Sequence, residues 1–254
     1  MTDHRPQRSP GILAMWSAPR SRSTAFARMM AERGDYTVLH EPFSHVIDFG
    51  ESAVGERLAR TEDELIDAIW EFAASRPVFF KDTTDFHYPR MLADKVFLAG
   101  PTHTFIIRHP AQAIASHYAL NPQLGRDEIG FAWLAEIYDT VAAATGTAPV
   151  VIEADDLVER PAETVRAYCE AVRIPFLPEA LSWPPGMADQ WRRTSRWHES
   201  TSRTSGFASS PSPSGSPGGS PRTGPDLEKD PVLSGYLAYH LPYYERLRAV
   251  AIKP

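Results

Sequence analysis

The sequence predicts an α/β fold, namely a three-layer sandwich in which helices cover both faces of a central parallel sheet of about five strands. Short runs of β-branched and aromatic residues lack the polar alternation of half-exposed strands, so they suit strands that are buried on both faces. Amphipathic helical patterns separate these runs, and strands that alternate with helices imply right-handed βαβ crossovers. With 254 residues and 43% hydrophobic content, the chain can bury the core that such a sheet needs.

The predicted elements follow one another regularly along the chain. The apolar runs are expected to be strands, at residues 11–17, 36–40, 77–81, 103–108 and 149–153. Helical periodicity predicts helices between or after them, at residues 23–32, 61–74, 110–120, 127–144 and 161–172. A last amphipathic segment at 231–250, interrupted by Pro242, predicts a C-terminal helix that docks on the core.

These elements are expected to form a single domain that covers residues 1–254. Residues 200–225 differ from the rest, because serine, proline and glycine dominate there and almost nothing apolar remains after Phe207. Such a composition cannot bury enough apolar surface to pack by itself. We therefore predict a flexible loop or lid in this stretch.

Composition argues against several classes of function. The net charge of −6 leaves no excess of basic residues to neutralise a nucleic acid. Cys169 is the single cysteine, which excludes disulfides within the chain and a cysteine-rich metal site. The first ten residues are polar, and no stretch approaches the roughly 20 apolar residues that a membrane span requires. These features predict a soluble, cytoplasmic protein with no membrane partner.

A polar, P-loop-like segment follows the first predicted strand directly and leads into a helix. Its sequence is Ala18-Pro19-Arg20-Ser21-Arg22-Ser23-Thr24, which places hydroxyls, guanidinium groups and backbone amides at a helix N-terminus. Such a terminus favours a bound anion. The segment lacks the Gly-Lys pair of a Walker A sequence, which argues against an ordinary nucleotide-dependent phosphotransferase. The alternative is that Ser23 caps the helix while the arginines are solvated.

A second anion-binding motif follows the fourth predicted strand. Arg108 ends this strand, and Ser116 lies two turns along the next helix. The guanidinium can bind a phosphate bidentately while the hydroxyl donates from another direction. Together the two motifs, in this order and on these elements, are far more specific than either one.

This pair of motifs resembles the family of sulfotransferases that use 3′-phosphoadenosine 5′-phosphosulfate (PAPS). The resemblance implies that the second motif, Arg108 and Ser116, binds the 3′-phosphate. It implies that the first loop binds the 5′-phosphosulfate through Arg20, Ser21, Arg22, Ser23 and Thr24. Many relatives have glycine where this chain has Arg22, so that side chain is expected beside the sulfate or directed toward the acceptor.

Further segments extend the resemblance over most of the chain. They are residues 40–43 (HEPF), 80–82 (FKD), 151–157 (VIEADDL), 197–199 (WHE) and 205–207 (SGF). The last two resemble a C-terminal loop that closes over the cofactor in related proteins, which implies that Ser205 and Gly206 bind it.

Sulfuryl transfer needs a base for the acceptor's proton and positive charge near the departing phosphate. The resemblance implies that Arg20 stabilises this charge, because it stands where the family's loop has a lysine or arginine. Glu41, at the end of the second strand, is our first choice for the base. Lys81 is then a ligand of the transferred sulfate.

Other assignments of the base stay open at this stage. Thr83 stands where the cytosolic branch of the family has its base histidine. His40 is expected to face the other side of its strand from Glu41 and to be structural. Two further histidines, His109 and His198, are ambiguous, and Glu41 itself is alternatively a structural carboxylate that bonds backbone amides or an arginine.

The predicted function is transfer of a sulfuryl group from PAPS to a hydroxyl or amine of a small molecule, with PAP as the product and no metal. The product is either a stable ester or an intermediate activated for later displacement or ring closure, such as in natural-product synthesis. The acceptor pocket is expected to be rich in aromatic residues from 43–49, 85–90, 121–133 and 183–197, including Phe43, Phe86, Tyr88, Trp133 and Trp191.

Two alternatives remain: an ATP-dependent kinase, and a non-catalytic binding subunit of a biosynthetic complex. A homodimer is also compatible with the sequence.

Overall fold

A five-stranded parallel sheet forms the centre of the fold, in strand order β2-β5-β1-β6-β7. The computed structural model describes residues 11–207, 227 and 229–254, apart from the side chains of residues 190 and 200. The sheet strands are β1 (Ile12–Ser17), β2 (Thr37–His40), β5 (Val78–Thr83), β6 (Thr102–Ile107) and β7 (Val150–Glu153). A short antiparallel hairpin consists of β3 (Ser52–Val54) and β4 (Arg57–Ala59). The predicted parallel sheet is confirmed, with each strand at its expected place in the sequence.

Helices flank the sheet on both faces and link its strands. They are α1 (Ser23–Arg33), α2 (Pro42–Phe49), α3 (Glu62–Ala73), α4 (Pro89–Ala93), α5 (Lys95–Ala99), α6 (Pro110–Tyr118), α7 (Phe131–Thr145), α8 (Ala154–Glu159), α9 (Pro161–Val172), α10 (Ser195–Ser202) and α11 (Pro231–Ala249). Short 3₁₀ turns lie at Asp127–Ile129, Pro178–Leu181 and Asp189–Thr194. In the described part of the chain, no helix combines the length and the apolar character needed to cross a bilayer.

Alternate residues of β1 pack into two separate hydrophobic clusters. Leu13 and Met15 belong to the cluster that also contains side chains of α1 and α9, whereas Ala14 and Trp16 belong to the cluster under α3, α5 and α7. All four side chains are fully buried. Burial on both faces explains why this strand is a continuous apolar run without polar alternation.

The start of α7 differs from the prediction because of one glycine. The predicted helix begins at residue 127, but a 3₁₀ turn occupies residues 127–129 and α7 begins at Phe131. Gly130 between them has a φ of +81°, and a Cβ atom there would lie 2.4 Å from the carbonyl oxygen of Thr84. Only glycine fits this close backbone contact without strain.

The C-terminal helix α11 continues through Pro242 and packs against α6 and α7. Glu153, at the end of β7, accepts hydrogen bonds from Tyr244 and Arg248 of this helix, both at 3.1 Å, and from Lys253 at 2.9 Å. Glu153 therefore has a structural role, since it ties α11 and the C-terminal residues to the end of β7. The predicted flexible stretch begins in α10, whose last residue is Ser202. Residues 203–207 are described as well, whereas residues 208–225 of that stretch lie outside the described residues.

His103 is a buried histidine whose two ring nitrogens both have partners. Trp16 Nε1 donates to its Nδ1 at 2.9 Å, and its Nε2 lies 3.1 Å from the carbonyl oxygen of Phe97. Since Nδ1 accepts a hydrogen bond, the proton is on Nε2 and the ring is neutral. Burial lowers the pKa of His103 to about 4, so the folded protein resists protonation of this ring.

We expect His103 to make the protein less stable as the pH falls from 6.5 toward 4. The histidine of the unfolded chain takes up a proton in this window and the folded one does not, so the free energy of unfolding falls by up to about 1.4 kcal/mol per pH unit for this group. Urea denaturation at several pH values measures the slope. Glutamine in the His103→Gln variant cannot take up a proton, so the free energy of unfolding of this variant should change less steeply with pH, by the contribution of one proton. An unchanged slope would contradict the assignment.

Candidate active site

The loop between β1 and α1 has an unusual backbone. Arg20 and Arg22, on either side of Ser21, have φ angles of 65° and 64°. Residues with side chains adopt this left-handed region rarely, and such strain is concentrated at functional sites. Turns with left-handed residues orient neighbouring N–H groups toward one side and form concavities that bind anions.

Polar atoms in this loop are buried without a protein partner. Among the residues that the structure describes, the hydroxyl of Ser21 and Nε of Arg22 have no hydrogen-bond partner, although buried polar groups almost always have one. Ser23 does not cap α1: the N-cap is Arg22, which makes no side-chain capping bond, and the Ser23 hydroxyl accepts instead from Ser17 at 2.8 Å. The start of α1 therefore has no side-chain cap, and the N–H groups that precede its first backbone hydrogen bond, from Ala25 to Arg22, can bind a ligand.

The two predicted anion-binding motifs are in direct contact. Arg108 Nη1 donates to the backbone oxygen of Arg20 at 3.0 Å, and Arg20 Nε donates to the hydroxyl of Ser116 at 3.1 Å. Burial, followed by the neighbouring charge of Arg22, lowers the pKa of Arg108 to about 10. The positive charges of Arg22 and Arg20 lie close enough to Arg108 to lower its pKa. A bound anion would offset this repulsion between the guanidinium groups.

Both motifs open into one cavity of about 430 Å³. Helix α10 covers part of it, since Arg20 Nη1 donates to the backbone oxygen of Trp197 at 2.7 Å. Ser205 lies outside the lining, because its segment pairs with residues 182–183. The other site residues selected from the sequence all line the cavity: Arg20, Ser21, Arg22, Ser23, Thr24, Glu41, Lys81, Arg108, Ser116 and Gly206.

Glu41 and Lys81 form a buried ion pair at the floor of the cavity. Lys81 is on β5 and its ammonium group contacts Oε1 of Glu41, whose side chain is 12% exposed. Burial raises the pKa of Glu41, but the neighbouring ammonium group of Lys81 is the main opposing cause, and this pKa is held well below its usual range. Glu41 is therefore ionised at every physiological pH. Its alternative partners, backbone amides or an arginine, are not the ones found.

The structure corrects the expectation that His40 faces away from Glu41. Nε2 of His40 lies 3.5 Å from Oε2 of Glu41. The simple alternation of a strand ends at residue 40, because Glu41 has a left-handed φ of 51° as the N-cap of α2. This change of backbone direction brings consecutive side chains to the same place.

His198 of α10 completes this group, and sequence reasoning left its role open. Its Nε2 lies 3.1 Å from Nε2 of His40, and its Nδ1 lies 3.4 Å from the hydroxyl of Thr24. Burial lowers its pKa to about 4, so the ring is neutral at pH 7. His109 is not in the cavity lining: it caps α6 and packs against Tyr244.

The aromatic residues of the segments expected to form the acceptor pocket are only partly in the cavity lining. Phe86 and Trp197 line the cavity. Phe43, Tyr88 and Trp191 are buried in the protein interior, and Trp133 packs against His87. Polar residues take their place in the lining: Ser44, Asp48, Asp85, Asn121 and Glu128.

A family model described as a sulfotransferase domain matches residues 11–251. The chain belongs to the sulfotransferase family. Two similar proteins of Arabidopsis thaliana are named branched-chain-amino-acid aminotransferase-like proteins 2 and 1, at 27% and 28% identity. The matches cover 78% and 79% of this chain but 36% and 37% of the plant proteins. The chain thus spans little more than a third of the length of these relatives.

Two solved structures are also similar to this sulfotransferase. One is the sulfotransferase domain from the curacin biosynthetic pathway, with 18% identity, a TM-score of 0.39, and coverage of 72% of this chain and 80% of that domain. The other is the sulfotransferase domain from the Synechococcus PCC 7002 olefin synthase, with 17% identity, a TM-score of 0.38, and coverage of 74% and 82%.

Proposed function

We propose that this sulfotransferase takes the sulfuryl group from PAPS, releases PAP and sulfates a hydroxyl or amine of a small molecule. The contact between Arg108 and the backbone of Arg20 carries the proposal, because it joins two anion-binding motifs from distant parts of the chain. A nucleotide with phosphate groups at two positions can then occupy both motifs within one cavity. PAPS has this arrangement, and when bound it supplies the activated sulfuryl group.

The loop residues fit such a donor. The unpaired hydroxyl of Ser21 and the free N–H groups at the start of α1 suit the 5′-phosphosulfate. Arg108 and Ser116 suit the 3′-phosphate. Arg20 contacts both regions and would stabilise the negative charge that develops on the departing phosphate.

Glu41 is the group that we propose as general base. Its carboxylate is ionised and lines the cavity, so it can accept the acceptor's proton as the new bond to sulfur forms. Lys81 contacts Oε1 of this carboxylate and lines the cavity, which supports its proposed roles of orienting Glu41 and binding a sulfate oxygen. The cavity lining includes polar side chains such as Asp48, Asn121 and Glu128. We therefore propose a hydrophilic acceptor that carries a hydroxyl or amine.

Calorimetry with PAP in the presence of EDTA tests the proposed donor. We expect magnesium-independent binding, weakened at least about tenfold in Arg108→Ala because hydrogen bonds to charged groups contribute about 1.5–3 kcal/mol. The matched control is Arg246→Ala, whose guanidinium binds Asp139 on the surface, and this variant should bind PAP normally. Preferential binding of ATP with Mg²⁺ would support a kinase and overturn the proposal.

Transfer of label from PAPS distinguishes an enzyme from a non-catalytic binding subunit. The protein is incubated with labelled PAPS and a library of hydroxylated and amino compounds, and label in any acceptor is measured. Transfer supports the proposed reaction. Binding of PAP without transfer to any acceptor class would favour the binding subunit.

A further inference from the structure

Three potential metal ligands lie close together, one each from His40, Glu41 and His198. The two Nε2 atoms are 3.1 Å apart, and Oε2 of Glu41 lies 3.5 Å from His40 Nε2 and 4.0 Å from His198 Nε2. A tetrahedral ion with bonds of about 2.0–2.2 Å needs ligand atoms separated by about 3.3–3.5 Å. The observed triangle is therefore close to the size that a zinc ion requires.

The orientation of the rings agrees with a shared ligand. The ring centroids of His40 and His198 are 4.7 Å apart and the rings are inclined at 78°. In a linear N–H···N hydrogen bond the centroid separation would exceed the nitrogen separation of 3.1 Å by the radii of both rings. The observed separation is shorter, so the two rings meet at an angle rather than end to end, a geometry that two ligands of one ion also have.

The surroundings prepare these side chains for metal binding. Lys81 contacts Oε1 of Glu41 and leaves Oε2 toward the histidines, as an outer partner orients a ligating carboxylate. Nδ1 of His198 lies near the Thr24 hydroxyl. The Thr194 hydroxyl, 3.0 Å from His198 Nε2, must turn away when a metal binds.

We propose that His40, Glu41 and His198 form a binding site for Zn²⁺. Two imidazoles and one carboxylate favour Zn²⁺ or Co²⁺ over Mg²⁺, which prefers oxygen ligands and keeps its waters. Glu41 and His198 line the cavity, so the fourth coordination position faces it. Because zinc takes Oε2 of Glu41, the ion inhibits any reaction that needs this carboxylate as a base, and the site is inhibitory rather than catalytic.

Titration of the full chain with Co²⁺, after dialysis against a chelator, tests the site without any sulfuryl transfer. We expect one equivalent of Co²⁺ to give the visible absorption bands of tetrahedral cobalt, which Zn²⁺ then abolishes by displacement. His198→Gln should weaken Co²⁺ binding by at least about tenfold, the effect that loss of even an outer-shell partner has. The control His87→Gln, which removes an exposed histidine beside Glu136, should leave binding unchanged.

Thermal unfolding and near-UV circular dichroism establish that each variant is folded, and His40→Gln provides a second test if His198→Gln is not. Absence of the tetrahedral bands in the unmodified protein would overturn the site. Bands that persist in both variants would overturn it as well. Neither result bears on PAP binding, so failure of the zinc site and failure of the proposed donor are separate outcomes.

Discussion

Replacement of Glu41 by glutamine is expected to lower kcat for sulfuryl transfer by about 10²–10⁴-fold, the usual contribution of a general base. Glutamine has nearly the same shape but cannot accept the acceptor's proton. Arg108 and Ser116, which we assign to the 3′-phosphate, are untouched. We therefore expect calorimetry to find PAP binding little changed while the transfer of label from PAPS nearly stops.

Lys81→Met is a companion variant, because it keeps the carboxylate and removes the cation that is paired with it. Lys81 lowers the pKa of Glu41, so its loss raises this pKa. The acidic limb of kcat/KM, where the base becomes protonated, should then move to higher pH. If Glu41→Gln retains its turnover, the base assignment is wrong and His198, which is neutral at pH 7, is the next residue to test.

The sheet could be predicted because its central strands β1, β5 and β6 are buried on both faces. A run such as 12–17 has no polar alternation, and β1 is covered by helices on both sides. The hairpin of β3 and β4 was not predicted, since its strands have three residues each and depend on packing against α2 and α3. The early start predicted for α7 was wrong because helical periodicity does not detect the close backbone contact at Gly130.

The contact between the two anion-binding motifs could be predicted from the sequence. The carboxyl ends of parallel strands share one edge, and β1 pairs directly with β6, so Arg20 and Arg108 necessarily lie close together. The histidine pair was not within reach, because it joins residues separated by 158 positions and depends on how α10 packs. Aromatic residues are as typical of cores as of pockets, which is why Phe43, Tyr88 and Trp191 are buried in the protein interior rather than in the cavity lining.

Asp82 links the end of β5 to the start of α2 and so supports the position of Glu41. Its Oδ2 accepts from the backbone N–H of Phe43 at 2.6 Å. Its Oδ1 accepts from the backbone and hydroxyl of Ser44, at 3.2 and 2.6 Å, and from Tyr88 at 3.3 Å. Burial raises the pKa of Asp82 to about 7 despite these bonds, so the carboxylate is predominantly ionised above that pH.

We expect Asp82→Asn to lower the free energy of unfolding by about 3 kcal/mol at pH 8.5, because a buried donor left without an acceptor costs about 1–3 kcal/mol and more beside a charged group. The amide oxygen can replace Oδ1, but the NH₂ group then faces the N–H of Phe43. Urea denaturation measures the loss. Ser44→Ala, which removes one hydroxyl donor and leaves both backbone bonds, should cost about 1–2 kcal/mol. An equal loss in the two variants would mean that the carboxylate does not hold α2 in place, and the position of Glu41 would need another explanation.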